Sequence, residues 1–161
     1  MNRAEWLVSI INEHGYRLGV ELGVKCGDTL AHILKECQNV SMIGVDLWQA
    51  APGYESWDHD DNMSQAAAVA DAYPGRLTLM RECTWDAAGS FEDGSLDFVF
   101  VDGDHRTESV LRDIAAWRPK IRPGGMLCGH DVGWPSVRAA IEQAVPDYTP
   151  VGHDGCWACI V

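Results

Sequence analysis

The sequence predicts a doubly wound α/β fold whose mainly parallel sheet is finished by an antiparallel hairpin near the C-terminus. Apolar runs of strand length alternate with stretches of helical periodicity five times along the chain, as in successive βαβ units. Two of those runs, residues 98–101 and 126–128, are each closed by acidic groups and separated by about one helical crossover, so they read as neighbouring parallel strands. The last two runs, residues 148–151 and 156–161, are joined only by a Gly-His-Asp-Gly loop and read as a hairpin.

Taken in order, Trp6, Leu7, Ile10 and Ile11 recur at helical spacing, making residues 3–14 an amphipathic helix that covers one sheet face and is closed by Gly15. Leu18 to Leu22 is a short strand, followed by Gly23, Gly27 and a helix with Leu30, Ile33, Leu34 and Cys37 on one face. Residues 40–45 form the next strand, which ends in Asp46. Residues 47–61 lack any period and mix Trp48, Tyr54 and Trp57 with Pro52, Gly53 and three aspartates, so they are expected to form a long loop that walls a site. An alanine-rich helix at 63–73 is stopped by Pro74-Gly75, residues 77–80 are a strand, and 84–88 make a single turn. After His105, Val110, Leu111, Ile114 and Trp117 form one helical stripe, with Asp104 expected to cap it and Pro119 and Pro123-Gly124-Gly125 to end it. Pro135 opens a last helix, with Val137, Ile141, Ala144 and Val145 as its buried face and Pro146 as its stop.

At 161 residues, 47% hydrophobic and 22% charged, the chain suits one compact domain over residues 1–161 with enough core to fold alone. With 24 acidic against 12 basic residues the formal net charge is −12, and no Lys/Arg run exists, which speaks against nucleic acid and for small neutral or cationic ligands. No apolar stretch approaches the ~20 residues of a membrane span, and Arg3 and Glu5 break any signal-peptide pattern, so a cytoplasmic protein is expected. Its six cysteines are then reduced thiols. Cys156 and Cys159 lie in a strand whose alternation points their sulfurs to opposite faces, against a redox or metal pair.

Chemistry concentrates between residues 96 and 131. If the strands at 98–101 and 126–128 are parallel neighbours, their carboxyl ends face one crevice, the place where open α/β sheets bind ligands, and Asp102, Asp104, His105, His130 and Asp131 surround it. Earlier in the chain, Glu21-Leu22-Gly23-Val24-Lys25-Cys26-Gly27 lies between strand and helix, where glycines let backbone approach a ligand. This loop departs from Gly-x-Gly-x-x-Gly, and Glu21 would repel a pyrophosphate, so a cationic or zwitterionic ligand suits it better. Asp46, 23 residues after Gly23, is placed to accept hydrogen bonds from both hydroxyls of a ribose.

At these residues the chain resembles the class I S-adenosylmethionine-dependent methyltransferases. Glu-Leu-Gly-Val-Lys-Cys-Gly looks like their first motif and Gly-Val-Asp-Leu-Trp like their second. The resemblance is nearest to the small-molecule O-methyltransferase branch, whose members read Val-Asp-Gly-Asp-His after the fourth strand and Pro-Gly-Gly then His-Asp around the fifth, and it covers roughly residues 18–161. It implies a seven-stranded, Rossmann-like sheet with a reversed last strand, in agreement with the hairpin above. It also implies methyl transfer from S-adenosylmethionine to a hydroxyl of a small molecule. Glu21 and Gly23 would lie along the methionine part of that cofactor, Asp46 would hold the ribose, and Glu82-Cys83-Thr84 would border the adenine, with Gly27, Leu47 and Asp102 completing the set. Relatives carry an acid where Cys83 stands, so adenine recognition here must use Glu82, Thr84 or a backbone group.

In metal-dependent relatives an acid after the fourth strand and a pair after the fifth bind magnesium, and the matching positions are Asp102, His130 and Asp131. Magnesium prefers oxygen ligands, so His130 argues for weaker binding or for manganese, and metal use stays open. Three residues beyond the first acid, relatives hold a Lys or His that takes the acceptor's proton; here it is His105, with Asp102 or Asp104 to orient it. The competing view makes Asp104 only a helix cap and His105 a solvated first-turn residue. His14, His32 and His59 read as surface residues, and His153-Asp154 as a turn. Two other functions compete on this fold: a cofactor-binding domain without turnover, favoured by the brevity of the chain, and another reaction such as cofactor cleavage. Self-association is compatible with the sequence, which does not fix an oligomeric state.

Overall fold

The structure is a computed structural model that describes residues 1–50, 53–151 and 154–161; Pro52 of the expected wall and His153 of the expected turn lie outside the described residues. Its elements run α1 Arg3–His14, β1 Leu18–Leu22, α2 Asp28–Glu36, β2 Ser41–Asp46, α3 His59–Ala72, β3 Leu77–Arg81, α4 Thr84–Ala87, β4 Leu96–Val101, α5 Thr107–Trp117, β5 Ile121–Gly129, α6 Pro135–Ala144, β6 Thr149–Val151 and β7 Cys156–Ile160. The seven strands form one sheet in the order β3-β2-β1-β4-β5-β7-β6. β1 to β5 pair in parallel, and β7 runs antiparallel to both β5 and β6. The expected doubly wound sheet with a terminal hairpin is therefore present, and the reversed β7 is slotted between β5 and the edge strand.

Period-2 alternation divides the core into two layers. Phe98 and Phe100 point to the face covered by α1, α2 and α3, where they meet Leu7, Ile11, Leu30 and Leu34. Val99 and Val101 point to the other face, covered by α4, α5 and α6, where they meet Ile114, Trp117 and Ile141. Cys156 falls in the first layer and Cys159 in the second, so the two thiols are separated by the sheet. Gly19 in β1 has a packing reason, since a Cβ there would overlap the ring of Phe98 on β4.

Three boundaries differ from expectation. α3 begins at His59, because the Asp58 carboxylate accepts the Asp61 N–H at 2.9 Å and Asp60 and Asp61 sit favourably in the first turn, so the acidic run starts a helix where a loop was expected. Asp104 is not the cap of α5; that position is Arg106, and Asp104 instead accepts the Arg106 N–H at 3.0 Å and the Ser109 hydroxyl at 2.8 Å. Pro123-Gly124-Gly125 lies inside β5 as a bulge, the register jumping from Leu96↔Ile121 to Phe98↔Met126. The chain end stitches this bulge into the sheet, with Gly124 N–H donating to Val161 O at 2.7 Å and Val161 N–H to Gly125 O at 3.0 Å.

At the opposite end of the strands from the crevice, Asp97 joins three elements. Its carboxylate accepts the Arg17 and Leu18 N–H groups at 2.6 and 2.9 Å and the Arg122 guanidinium at 2.6 Å. Burial alone would raise its pKa, but the bonds from Arg17, Arg122 and Leu18 outweigh burial and hold it below the ordinary value. A depressed folded-state pKa contributes stability that is present above about pH 4 and lost as pH falls through the folded value. Asp97→Asn is thus expected to cost about 1–3 kcal/mol at pH 7 in urea denaturation, with the gap to the wild type closing as the titration is repeated toward pH 3.

Candidate active site

The sheet order reverses between β1 and β4, and a cavity of about 390 Å³ opens there at the carboxyl ends of β1, β2, β4 and β5. That volume falls in the range of small-molecule sites. Backbone bonds beyond the strand ends fix its floor: Asp102 N–H donates to Leu22 O at 2.8 Å and Gly23 N–H to Val45 O at 2.9 Å. Gly23 has φ +88°, and a Cβ there would collide with the Asp102 carbonyl, so the β1 turn and the β4 turn touch only because this residue is glycine. Gly27, at φ +87°, does not reach the cavity; it admits the close approach of Ala66 and Val69 from α3.

On the β1–β2 side, the Asp46 carboxylate gathers the loop. It accepts Val24 and Lys25 N–H at 2.9 Å each on one oxygen and Trp48 N–H at 2.8 Å on the other. Lys25, Trp48 and Asp131 are the non-glycine residues with positive φ among those described, and all three line the cavity. Such backbone costs of order 1–3 kcal/mol per residue and persists where surrounding structure dictates it, which marks the cavity as the strained part of the fold. Glu21, only 2% exposed, points into the cavity with Oε2 lacking a partner. Burial first, then the charge of Asp102, lifts its carboxyl well above the usual range, against the pull of Arg3. Leu47, Cys83 and Thr84 also line the cavity, and burial pushes the Cys83 thiol up. Glu82 does not; its backbone N–H donates to Asp46 O at 3.1 Å while the residue is half-buried outside the cavity.

On the β4–β5 side, His105 Nε2 lies 2.7 Å from Asp131 Oδ2, and its Nδ1 lies 3.0 Å from the Tyr54 hydroxyl. These partners assign the tautomer: an Nε2–H donates to the carboxylate and Nδ1 accepts from the phenol. The Asp131 bond raises the His105 pKa above its ordinary value in spite of burial. Burial works against Asp131 as well, but the bond from His105 and the nearby His130 imidazole hold its carboxyl far below the usual range. His130 Nδ1 is 3.1 Å from Asp131 and 3.7 Å from Asp102, yet neither ring nitrogen makes a bond of acceptable angle. Burial raises Asp102 to about 6, with Arg3 and His130 pulling it down. Among the described residues, the set of three whose donor atoms all lie within 4.8 Å of one another is Asp102, His105 and Asp131; His130, expected as the third ligand, is not in it.

Some residues in and around the cavity were foreseen and others were not. Tyr54 and Trp57 come from the expected wall, and Trp57 carries Lys25 Nζ at 4.3 Å from its ring centroid. His59, expected at the surface, lines the cavity with Nε2 at 3.0 Å from Tyr54 O. Trp134 stacks on His105 with centroids 5.0 Å apart, and Trp85 follows Thr84 along the wall. Asp154, expected only to turn the chain, accepts the Arg3 N–H at 2.8 Å and approaches His130 Nε2 to 3.8 Å. Arg3 itself enters from α1, with Nη1 3.4 Å from Asp102 Oδ2. A charged residue in the first turn of a helix carries no sign that it will reach a crevice, so this one was not legible.

The fold recurs in solved enzymes. An O-methyltransferase from Bacillus cereus in complex with S-adenosylhomocysteine superposes with a TM-score of 0.71 at 15% identity, over 99% of this chain and 80% of that one. The S-adenosylhomocysteine-bound methyltransferase PaMTH1 of Podospora anserina gives 0.71 at 11% identity, over 97% and 76%. By sequence, the uncharacterized protein y4gI of Sinorhizobium fredii is 28% identical over 133 residues, covering 78% of this chain but 14% of that protein, so the chain spans about one seventh of the relative it matches. The family described as "Methyltransferase domain" matches residues 20–132, from the third residue of β1 to just past the His130-Asp131 pair, and this chain therefore belongs to that family.

Proposed function

We propose that the chain transfers the methyl group of S-adenosylmethionine to a hydroxyl oxygen of a small molecule, with His105 as general base. The observation that carries this reading is the His105 imidazole, gripped by Asp131 at 2.7 Å and set in the wall of the cavity that Glu21 and Asp46 also line. The residues fit the cofactor. Glu21 offers a buried oxygen without a partner to a cationic group, and Asp46, three of whose acceptor positions hold the loop, keeps capacity for a ribose hydroxyl. Bound S-adenosylmethionine supplies a methyl already activated on sulfur, which leaves the protein to align the acceptor and remove its proton.

His105 does the second task through Nδ1. Its other nitrogen is committed to Asp131, and the Tyr54 hydroxyl at 3.0 Å from Nδ1 marks where an acceptor hydroxyl would sit and hand over its proton. Asp131 then stabilises the imidazolium that forms. Trp134, stacked on the ring, and Trp57, partly exposed on the cavity wall, favour an acceptor with apolar surface. A divalent ion would be held by Asp102 and Asp131 with His130, 3.1 Å from Asp131 and 3.7 Å from Asp102, although the imidazole that shares one donor cluster with both acids is that of His105; the ion would supply positive charge beside the acceptor oxygen. With a nitrogen among the ligands, manganese suits the set better than magnesium. The free state of all six cysteines supports a cytoplasmic location, and no described helix is long and apolar enough to cross a membrane.

Three measurements test this reading. Asp46→Ala is expected to weaken S-adenosylhomocysteine at least about tenfold by calorimetry, since each bond to a carboxylate is worth about 1.5–3 kcal/mol; unchanged binding would refute the cofactor assignment. In the metal-free protein, the His105 ring resonances should titrate above the reference of about 6.5, and below the wild-type value in Asp131→Asn; with an acceptor in hand, turnover should rise with pH through that same value, because the neutral imidazole is the base. Manganese added to the apo chain should bind at one site that Asp131→Asn abolishes, and a flat calorimetric trace would remove the ion from the reaction.

A further inference from the structure

Arg3 lines the cavity and has no part in the steps above. Its backbone is pinned. α1 opens with a capping box in which Glu5 N–H donates to Asn2 Oδ1 at 3.0 Å and Asn2 N–H donates to Glu5 Oε2 at 2.9 Å, and Asp154 takes the Arg3 N–H at 2.8 Å. Its side chain is loosely held by comparison. The guanidinium has five N–H donors in a planar fork, and its contacts are long, 3.4 Å from Nη1 to Asp102 and 3.4 Å from Nε to the Thr29 hydroxyl. The other cations on the cavity wall, Lys25 and Arg106, are occupied by the Trp57 ring and the Asp104 carboxylate.

At the same end lies Glu21, 2% exposed, with Oε2 unpartnered; the Thr29 hydroxyl accepts from Arg3 and is close enough to Glu21 to draw its pKa down against burial. A fork with spare donors and a buried acid with a spare oxygen, placed around one threonine, complement a group that carries a carboxylate and an ammonium on one carbon. Without Arg3, the acids Glu21 and Asp102 would repel that carboxylate.

We propose that Arg3 binds the α-carboxylate of the amino-acid end of the cofactor, opposite a Glu21 that faces its ammonium. This rests on the S-adenosylmethionine reading above and adds to it a binding residue from outside the strand-end motifs. In chemical terms the fork exchanges its long contact with Asp102 for a two-point contact with the ligand carboxylate.

The test compares two ligands that share adenosine and sulfur and differ in the amino-acid tail. S-adenosylhomocysteine has the tail and 5′-methylthioadenosine lacks it. In calorimetry, Arg3→Gln should weaken S-adenosylhomocysteine about 10- to 100-fold and leave 5′-methylthioadenosine within about twofold of the wild type. Equal weakening of both, or of neither, overturns the proposal and returns Arg3 to a structural pairing with Asp102. Should Arg3→Gln fail to fold by circular dichroism, Arg3→Lys, which keeps the charge and loses the fork, is judged by the same selectivity between the two ligands. A wild-type chain that binds neither ligand refutes the cofactor reading itself, an outcome distinct from the loss of selectivity.

Discussion

Glu21, Asp46, Asp102, Asp104 and Asp131 converge on one crevice, and the structure depends on keeping these acids from driving it apart. Each is accommodated differently. Asp46 is neutralised by three backbone N–H groups, Asp104 by Arg106 and Ser109, and Asp131 by two imidazoles. Glu21 lacks such a complement and Asp102 has only the long contacts of Arg3 and His130, so burial leaves both with raised pKa values, Asp102 near 6 and Glu21 well above its usual range. The crevice is therefore divided. Its β5 side is firmly ionised, while its β1 side holds protons or awaits cations. A sulfonium and an ammonium are cations of the right kind, which ties the electrostatics to the proposed ligand.

Much of this was legible in the chain because strand ends are local. A run such as Leu96–Val101 followed by Asp102 needs no tertiary information to be read as a strand with an acid at its mouth, and parallel packing then gathers every such acid at one end. The alternation that separates Phe98 and Phe100 from Val99 and Val101 is equally local, as is the opposition of Cys156 and Cys159. What was not legible depended on approach between distant segments. The contact of Arg3 with Asp102 joins residues separated by four strands of the chain, and the hydrogen bond of Tyr54 to His105 depends on how an aperiodic segment folds back. Asp104 was misassigned by two residues because an aspartate near a helix start resembles a cap, whereas this one reaches the first turn through the Ser109 side chain. The glycines of the bulge were read as a stop because nothing local shows that Val161 would pair with them.

Strain and charge fall in the same place. Lys25, Trp48 and Asp131 hold left-handed backbone at the cavity, and each is kept there by a bond to a site group or by being one: Lys25 N–H and Trp48 N–H are donors to Asp46, and Asp131 is the partner of His105. The remainder of the sheet and its helices can be read as the rigid body that makes this local strain tolerable.

The position of β1 in the sheet also governs the order in which the chain can mature. Its neighbour on one side, β2, follows within about twenty residues, but its neighbour on the other side is β4, which begins only at Leu96. A chain emerging from the N-terminus can pair β1, β2 and β3, yet the second edge of β1, with Val20 and Leu22 on it, stays open until β4 has been made. Such long-range closure is slow and leaves a nascent intermediate with an unpaired apolar edge, the kind of species on which aggregation and chaperone capture act. The same event that closes the edge brings Gly23 against Asp102 and so joins the two sides of the crevice.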